Sequence, residues 1–156
     1  MTAKEYLLQY RDIQEEIASI MEQIEEIESF LGYHPVQLDD VGGSRSNYRE
    51  DKMSEYLAKV ADLYAELQEK SARLIVKKNE IRKEVDTLSD PNEKKVLTLR
   101  YLTPHPKKIY APLGWREIGR RMNYSPEGAK KVHQRALINF QDRINKEYPK
   151  VDTFSC

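Results

Sequence analysis

The chain has 156 residues, of which 33% are charged and 39% hydrophobic, and its formal net charge at pH 7 is zero. This length allows one compact domain or two small ones, and no apolar run approaches the ~20 residues of a membrane span, so we expect a cytoplasmic protein without a membrane partner. The single cysteine, Cys156, excludes an intrachain disulfide and fits a reducing compartment.

The charge is unevenly divided along the chain. Residues 1–88 hold 12 Lys+Arg against 19 Asp+Glu, a net charge of −7, whereas residues 89–156 hold 14 against 7, a net charge of +7. Such an asymmetry is typical of an acidic scaffold joined to a basic module that binds an anion.

The first segment, residues 3–31, repeats apolar residues at alternating spacings of four and three. An unbroken repeat of this kind predicts a long helix with a coiled-coil seam. The seam residues are Tyr6, Tyr10, Ile13, Ile17, Ile20, Ile24, Ile27 and Leu31. Residues 32–49 contain Gly32, Pro35 and the pair Gly42-Gly43, which predict a loop.

A second long helix is predicted over residues 50–88, because the same repeat runs from Met53 to Leu88. Ser71 and Lys78 interrupt its seam, and polar seam residues often fix the register and the number of partners. The expected structure of residues 1–88 is an antiparallel coiled-coil hairpin that also self-associates, most simply as a dimer.

We place a boundary near residue 89, where the net charge changes sign and Ser89-Asp90-Pro91 can cap a new helix. A short amphipathic helix is predicted over residues 92–102. A loop with three prolines is predicted over residues 103–114. After the last helix the tail, residues 149–156, is predicted to be flexible.

Residues 115–140 predict two helices joined by a tight turn. Gly119 leaves room for another backbone, and Asn123 tolerates the left-handed conformation that the turn requires. Ser125 can cap the second helix, with Pro126 in its first position.

The second helix of this pair has an apolar side and a basic side. The apolar stripe consists of Ala129, Val132, Ala136, Leu137 and Phe140. Lys130, Lys131 and Gln134 fall on the opposite side, which is the arrangement that a helix reading the DNA major groove needs. The combination favours a helix-turn-helix, and the alternative is an αα-hairpin with a solvated basic face.

The blocks LSDPNEKKVLTLRYL and WREIGRRMNYSPEGAKKVHQRALINF resemble region four of bacterial sigma factors. In that family an acidic and proline-containing cap, an apolar-Arg-Tyr step and an E-I-G step precede a Ser- or Thr-capped recognition helix ending in R-A-L. The matching residues are Arg100-Tyr101, Glu117-Ile118-Gly119, Ser125, Val132 and Arg135-Ala136-Leu137. The resemblance covers residues 88 to about 143.

This resemblance implies an all-α protein with a three-helix, sigma-like DNA-binding domain over residues 89–148. Residues 1–88 do not resemble the sigma region that melts promoters. The chain is therefore similar to the small phage- or prophage-encoded, sigma-like regulators of late genes, and not to a complete sigma factor. Asn123 stands where the family usually has Gly, and Gly128 stands where it usually has a long polar side chain, so the DNA sequence that is read cannot be carried over.

We therefore expect a sequence-specific transcriptional regulator that binds double-stranded promoter DNA, with RNA polymerase as a candidate second partner. The expected DNA-binding residues are Arg120, Arg121, Ser125, Glu127, Lys130, Lys131, Gln134 and Arg135. The alternative is a small-terminase-like DNA-packaging protein, which also joins a helix-turn-helix to an oligomerising helical segment.

A purely structural coiled-coil adaptor is a third possibility, against which the basic half argues. The sequence has no nucleophile–base pair, no phosphate-binding glycine loop and no cluster of metal ligands. We therefore expect neither enzymatic activity nor a cofactor or metal.

Overall fold

In a computed structural model, residues 1–32, 44–108 and 110–149 are described, and all their regular structure is helical. The helices are α1 (Ala3–Gly32), α2 (Ser44–Asp86), α3 (Pro91–Leu97), α4 (Trp115–Met122) and α5 (Pro126–Glu147). A π-helical turn, Thr98–Leu102, follows α3 directly. The predicted all-α class is confirmed. The predicted loop between the long helices lies outside the described residues over 33–43, as does the predicted tail over 150–156.

The predicted helix caps of the basic half are confirmed. Asp90 precedes α3, and its Oδ1 accepts the backbone N–H of Asn92 at 2.8 Å. Ser125 precedes α5, and its Oγ accepts the backbone N–H of Gly128 at 3.0 Å. Side chains that accept these otherwise unpaired N–H groups fix where the helices begin.

Two predicted boundaries were wrong. Residues 44–49 were predicted as part of a loop but belong to α2, because no glycine or proline follows Gly43 in this stretch to stop the helix. The helix predicted over residues 92–102 changes from α to π at Thr98. Thr98 Oγ1 donates to the carbonyl oxygen of Lys94 at 2.8 Å, and such back-bonding is known to distort helices.

The chain divides into two compact units, and both divisions fall inside a long helix. The first unit comprises the described residues of Met1–Gln14 and Leu74–Cys156, and the second comprises Glu15–Arg73. Residue 89, the predicted domain boundary, lies inside the first unit. The start of α1 and the end of α2 therefore belong with α3, α4 and α5.

The first unit has a continuous apolar core drawn from all five helices. At the N-terminus of α1, the rings of Tyr6 and Phe140 lie 5.7 Å apart. The backbone N–H of Ala3 donates to Gln141 Oε1 at 2.6 Å. The side chains with almost no exposed surface are Leu7, Ile81, Val85, Val96, Leu97, Leu113, Ile118 and Phe140. This core holds α5 from the side opposite its basic face.

A buried arginine links α1 to the proline-containing loop of the first unit. Arg11 is 4% exposed. Its guanidinium donates to the carbonyl oxygens of Ala111, Arg100 and Thr103 at 2.8, 3.1 and 2.9 Å. Burial removes water from around the Arg11 charge, which lowers its pKa. The three carbonyl acceptors offset part of this loss of hydration.

The second unit has a much smaller core. Of its described apolar side chains, Ile20 and Ile24 on α1 are buried, at 4% and 5% exposure. Polar and aromatic contacts join α1 to α2: Lys70 Nζ to Glu16 Oε2 at 2.5 Å, Tyr64 Oη to Glu28 Oε1 at 3.0 Å, and the rings of Phe30 and Tyr56 at 5.1 Å. Large apolar side chains remain exposed here, namely Met21, Phe30, Met53, Leu57 and Tyr64. Neither this unit nor the other described part holds a helix long and apolar enough to cross a membrane.

Candidate nucleic-acid interface

The turn between α4 and α5 is closed by two residues that the sequence singled out. Asn123 adopts the left-handed conformation, with φ 59°, and ends α4. The backbone N–H of Tyr124 donates to the carbonyl oxygen of Gly119 at 2.8 Å. A Cβ at Gly119 would lie 2.6 Å from the carbonyl oxygen of Tyr124, so only glycine lets the turn pass this close. The predictions for Gly119 and Asn123 are confirmed.

The predicted apolar side of α5 is confirmed. Its buried residues are Ala129, Val132, Ala136, Phe140 and Ile144, and Leu137 packs against the same core. On the other side of the helix Glu127, Lys131 and Gln134 are exposed, and they recur at spacings of four and three. These spacings place the three side chains in one row along the outer surface of α5.

All eight residues predicted to bind DNA are exposed, but they differ in what their side chains already contact. Within the described part of the chain, neither Lys130 nor Lys131 has an ion pair. Ser125 uses its oxygen as an acceptor for the helix cap. Its hydroxyl proton is still available, because a serine can donate and accept at once.

Arg120 and Arg121 share one carboxylate on their own helix. Arg120 Nη2 and Arg121 Nε lie 2.6 and 2.9 Å from Glu117 Oε1, and Arg120 Nε lies 3.0 Å from Glu117 Oε2. Hydrogen bonds from the two arginines lower the pKa of Glu117 to about 2. The pair of arginines therefore brings a net charge of one to this surface.

Arg135 is turned toward α3. Its Nε donates to Glu93 Oε1 at 3.0 Å, and its Nη2 lies 3.2 Å from Asp90 Oδ2. Glu93 is 3% exposed. Of the residues predicted to bind DNA, Glu127, Lys130, Lys131 and Gln134 stand together on the outer side of α5. Arg135 is exposed as well, but its guanidinium is paired with the carboxylates of α3 and its cap.

An aromatic cluster connects the π-helical turn, α4 and α5. The imidazole of His133 lies 4.8 Å from the Trp115 ring and 5.7 Å from the Tyr101 ring, and its Nε2 is 2.8 Å from Tyr101 Oη. The Arg100 guanidinium lies 4.6 Å from the Trp115 ring. Burial first, and the nearby charges of Arg100 and Lys4 second, lower the pKa of His133 to about 4, so the ring is neutral at pH 7.

The sequence reasoning missed Ile138, which is 66% exposed although it is large and apolar. It follows Gln134 by four residues and so continues the outer row of α5. An apolar side chain in such a row can contact the methyl group of thymine. The spacing from Lys131 to Gln134 to Ile138 was the available signal, but Ile138 is easily assigned to the core from its residue type alone.

The chain was compared with protein-family models, with curated proteins and with solved structures, and nothing matches it. Within the described ranges, no group of three or more His, Cys, Asp or Glu side chains is arranged to hold a metal ion.

Proposed function

We propose that this protein is a sequence-specific DNA-binding transcriptional regulator, in which α4, the turn at Asn123 and α5 act as a sigma-like helix-turn-helix. The observation that carries the proposal is the row of exposed Glu127, Lys131 and Gln134 on a helix whose opposite side is packed in the core. An α-helix fits the major groove, where side chains in one row can reach successive base edges.

The side chains of this row have distinct roles in the proposal. Gln134 can pair with the N6 and N7 atoms of an adenine, and Lys131 can donate to the O6 and N7 atoms of a guanine. Glu127 can accept from the amino group of a cytosine. Lys130, beside the row, and Arg120 on α4 contact phosphates, which position the module without reading sequence.

The packing of the basic region supports a three-helix module. Val96 and Leu97 of α3, Ile118 and Met122 of α4, and the apolar side of α5 belong to one core. The sigma-like pattern requires this arrangement, because the first helix must hold the other two at a fixed angle. The resemblance further suggests a phage- or prophage-encoded regulator that acts together with RNA polymerase.

We further propose that α1 and α2 pair antiparallel over residues 15–32 and 50–73, and that two copies associate through these helices. Three contacts join α1 to α2 in reversed order. Glu16, Glu28 and Phe30, taken along α1, meet Lys70, Tyr64 and Tyr56, whose numbers decrease along α2. Met53 and Leu57 are exposed and stand four residues apart, as two successive positions of a coiled-coil seam do, and they offer an apolar surface to a second copy. A dimer would place two DNA-binding modules on one duplex, at two half-sites with a fixed spacing.

The test begins with selection of binding sites from random duplex DNA by the full-length protein, followed by transcription of the selected fragments with bacterial RNA polymerase. The protein should change the transcript yield. Gln134→Ala should relax the preference at one adenine of the selected site, and the matched control Gln68→Ala, on an exposed part of α2, should keep it. Selective binding with no change in transcription would favour the packaging protein, and absence of binding would refute DNA recognition.

A further inference from the structure

A carboxylate is buried where α3 meets α5. Glu93 lies in the first turn of α3 and is 3% exposed. Arg135 Nε donates to its Oε1 at 3.0 Å, and Asn139 Nδ2 lies 2.8 and 3.0 Å from its two oxygens. Both partners come from α5 and stand one helical turn apart. A buried carboxylate needs such donors, because it has given up its water.

The same guanidinium also reaches the beginning of α3. Arg135 Nη2 donates to Asp90 Oδ2 at 3.2 Å, and the other oxygen of Asp90 accepts the N–H of Asn92 as the helix cap. Arg135 therefore faces two carboxylates of the same helix. The Arg135 side chain is 56% exposed, but its guanidinium is paired with both carboxylates. Lys130 and Lys131, by contrast, have no ion pair among the described residues.

We infer that Arg135 and Asn139 are positioning residues, which fix α5 on α3 through Glu93, and that Arg135 makes no contact with DNA phosphate. This inference rests on the proposed function and narrows the DNA-binding surface to Glu127, Lys130, Lys131 and Gln134, with the cations of α4. The sequence pattern had placed Arg135 in that surface because the partner carboxylates lie more than 40 residues earlier in the chain.

The surroundings and the shape of the Arg135 guanidinium favour positioning over DNA contact. If Arg135 moved to a phosphate, Glu93 would keep one amide donor for a charge that has almost no access to water, which is strongly unfavourable. The planar guanidinium is also suited to hold two carboxylates in a fixed geometry, which a flexible ammonium cannot do. The link to α3 lies beside the outer row of α5, because Arg135 directly follows Gln134.

The first test compares Arg135→Gln with the matched control Lys130→Gln in the full-length protein bound to a selected duplex. For each variant the dependence of log Kd on log salt and the Tm are measured. Lys130→Gln should reduce the salt slope by about 0.9 and leave Tm unchanged, since one phosphate contact is lost. Arg135→Gln should leave the slope unchanged and lower Tm by on the order of 10 °C. A reduced slope with unchanged Tm for Arg135→Gln would overturn the inference.

A second test needs no DNA and is a double-mutant cycle in thermal unfolding. Arg135→Gln leaves the buried Glu93 without a cation, and Glu93→Gln leaves Arg135 with Asp90 as its one remaining carboxylate in this cluster, whereas the double variant places two amides together. The decrease in Tm of the double variant should therefore be smaller than the sum of the decreases of the two single variants. Additive losses would refute the link through Glu93. If a single variant does not fold, Asn139→Ala replaces Arg135→Gln in the cycle, because it removes only an amide.

The two tests separate this inference from the proposed function. A wild-type protein that binds no DNA would refute the proposed function, and the unfolding cycle would still decide whether Arg135 positions α5. A protein that binds DNA with a salt slope dependent on Arg135 would retain the proposed function and refute the positioning role. The Tm of Arg135→Lys should lie between those of Arg135→Gln and the wild type, since lysine keeps the charge but not the planar contact with both carboxylates.

Discussion

The two compact units bury the apolar sides of their helices to very different extents. In the first unit, residues of every helix meet in one core, with Phe140, Leu97 and Ile81 completely inaccessible. In the second, Ile20 and Ile24 are buried, whereas no side chain of residues 50–73 is. The first unit therefore gains most of the apolar burial that stabilises a fold, and the second leaves large apolar side chains exposed to solvent.

The units also differ in charge. Residues 15–73 hold 14 Asp+Glu against 6 Lys+Arg, a net charge of −8, and the rest of the chain is positive by the same amount. An acidic unit is repelled by DNA and a basic one is attracted to it. This charge difference agrees with the proposal that the first unit binds DNA and the second unit binds a second copy.

The largest expected effect is on the core of the first unit. Phe140→Ala should lower the free energy of unfolding by about 3–5 kcal/mol, because it removes a fully buried ring beside Tyr6 and leaves a cavity. Urea denaturation followed by circular dichroism measures the loss. Ile138→Ala, two residues away at 66% exposure, is the control and should change stability by less than about 0.5 kcal/mol. Similar losses for both variants would contradict the assigned burial.

The turn between α4 and α5 should be the next most sensitive point. Gly119→Ala should lower the free energy of unfolding by about 2 kcal/mol, because the new Cβ would collide with a backbone oxygen that cannot move aside alone. Gly114→Ala is the matched control, since no atom lies within 4 Å of its Cβ position, and it should lose less than about 1 kcal/mol. A tolerated Gly119→Ala would show that the turn is not closed in this way.

For the second unit we expect a change of association and not of folding. Leu57→Asp, at a side chain that is 56% exposed, should weaken dimerisation roughly thirtyfold, or about 2 kcal/mol, because an apolar contact between copies is lost. Sedimentation equilibrium measures this, with the neighbouring Ala58→Asp as the control of equal charge. Since the unit is acidic, added salt should strengthen dimerisation. A monomeric wild-type protein would exclude self-association.

The smallest effect concerns the aromatic cluster at His133. In the folded protein the pKa of His133 is about 4, below the ordinary histidine value of 6.5, so the unfolded chain binds the proton more readily. The contribution of His133 is therefore fully present above pH 6.5 and is lost as the pH falls toward 4. We expect about 1 kcal/mol, because the ring is partly exposed and its charge is screened. His133→Gln should remove this share of the pH dependence in urea denaturation, and the control His105→Gln should retain it.

The elements that were predicted correctly depend on local patterns. The heptad repeat indicated both long helices. The cap residues Asp90 and Ser125 and the turn residue Asn123 contact backbone groups only a few residues away in sequence. Lys78, predicted as an interruption of the seam, lies with its Nζ 5.6 Å from the Tyr10 ring, which lets a cation occupy that position. Such local features can be predicted from the sequence without knowing the tertiary structure.

What the sequence could not indicate depends on contacts between distant residues. A heptad seam is the same whichever helix covers it, so the contact of Tyr6 with Phe140 and the exposure of Leu57 were not predictable. Glu93 has the sequence pattern of an ordinary acidic residue in a first helical turn, although it is buried. Arg135 was therefore grouped with the free cations of α5, because its partners on α3 are brought to it only by folding.

The most direct test of the account is the affinity of the full-length protein for its selected duplex, measured over a range of salt concentrations. Wild-type log Kd should rise linearly with log salt, and Lys130→Ala/Lys131→Ala should bind more weakly with a slope reduced by about 1.8, while its circular dichroism spectrum is unchanged. The outer side of α5 would then be the DNA-binding surface. A folded double variant with wild-type affinity and slope would contradict the account, because α5 would lie outside the interface.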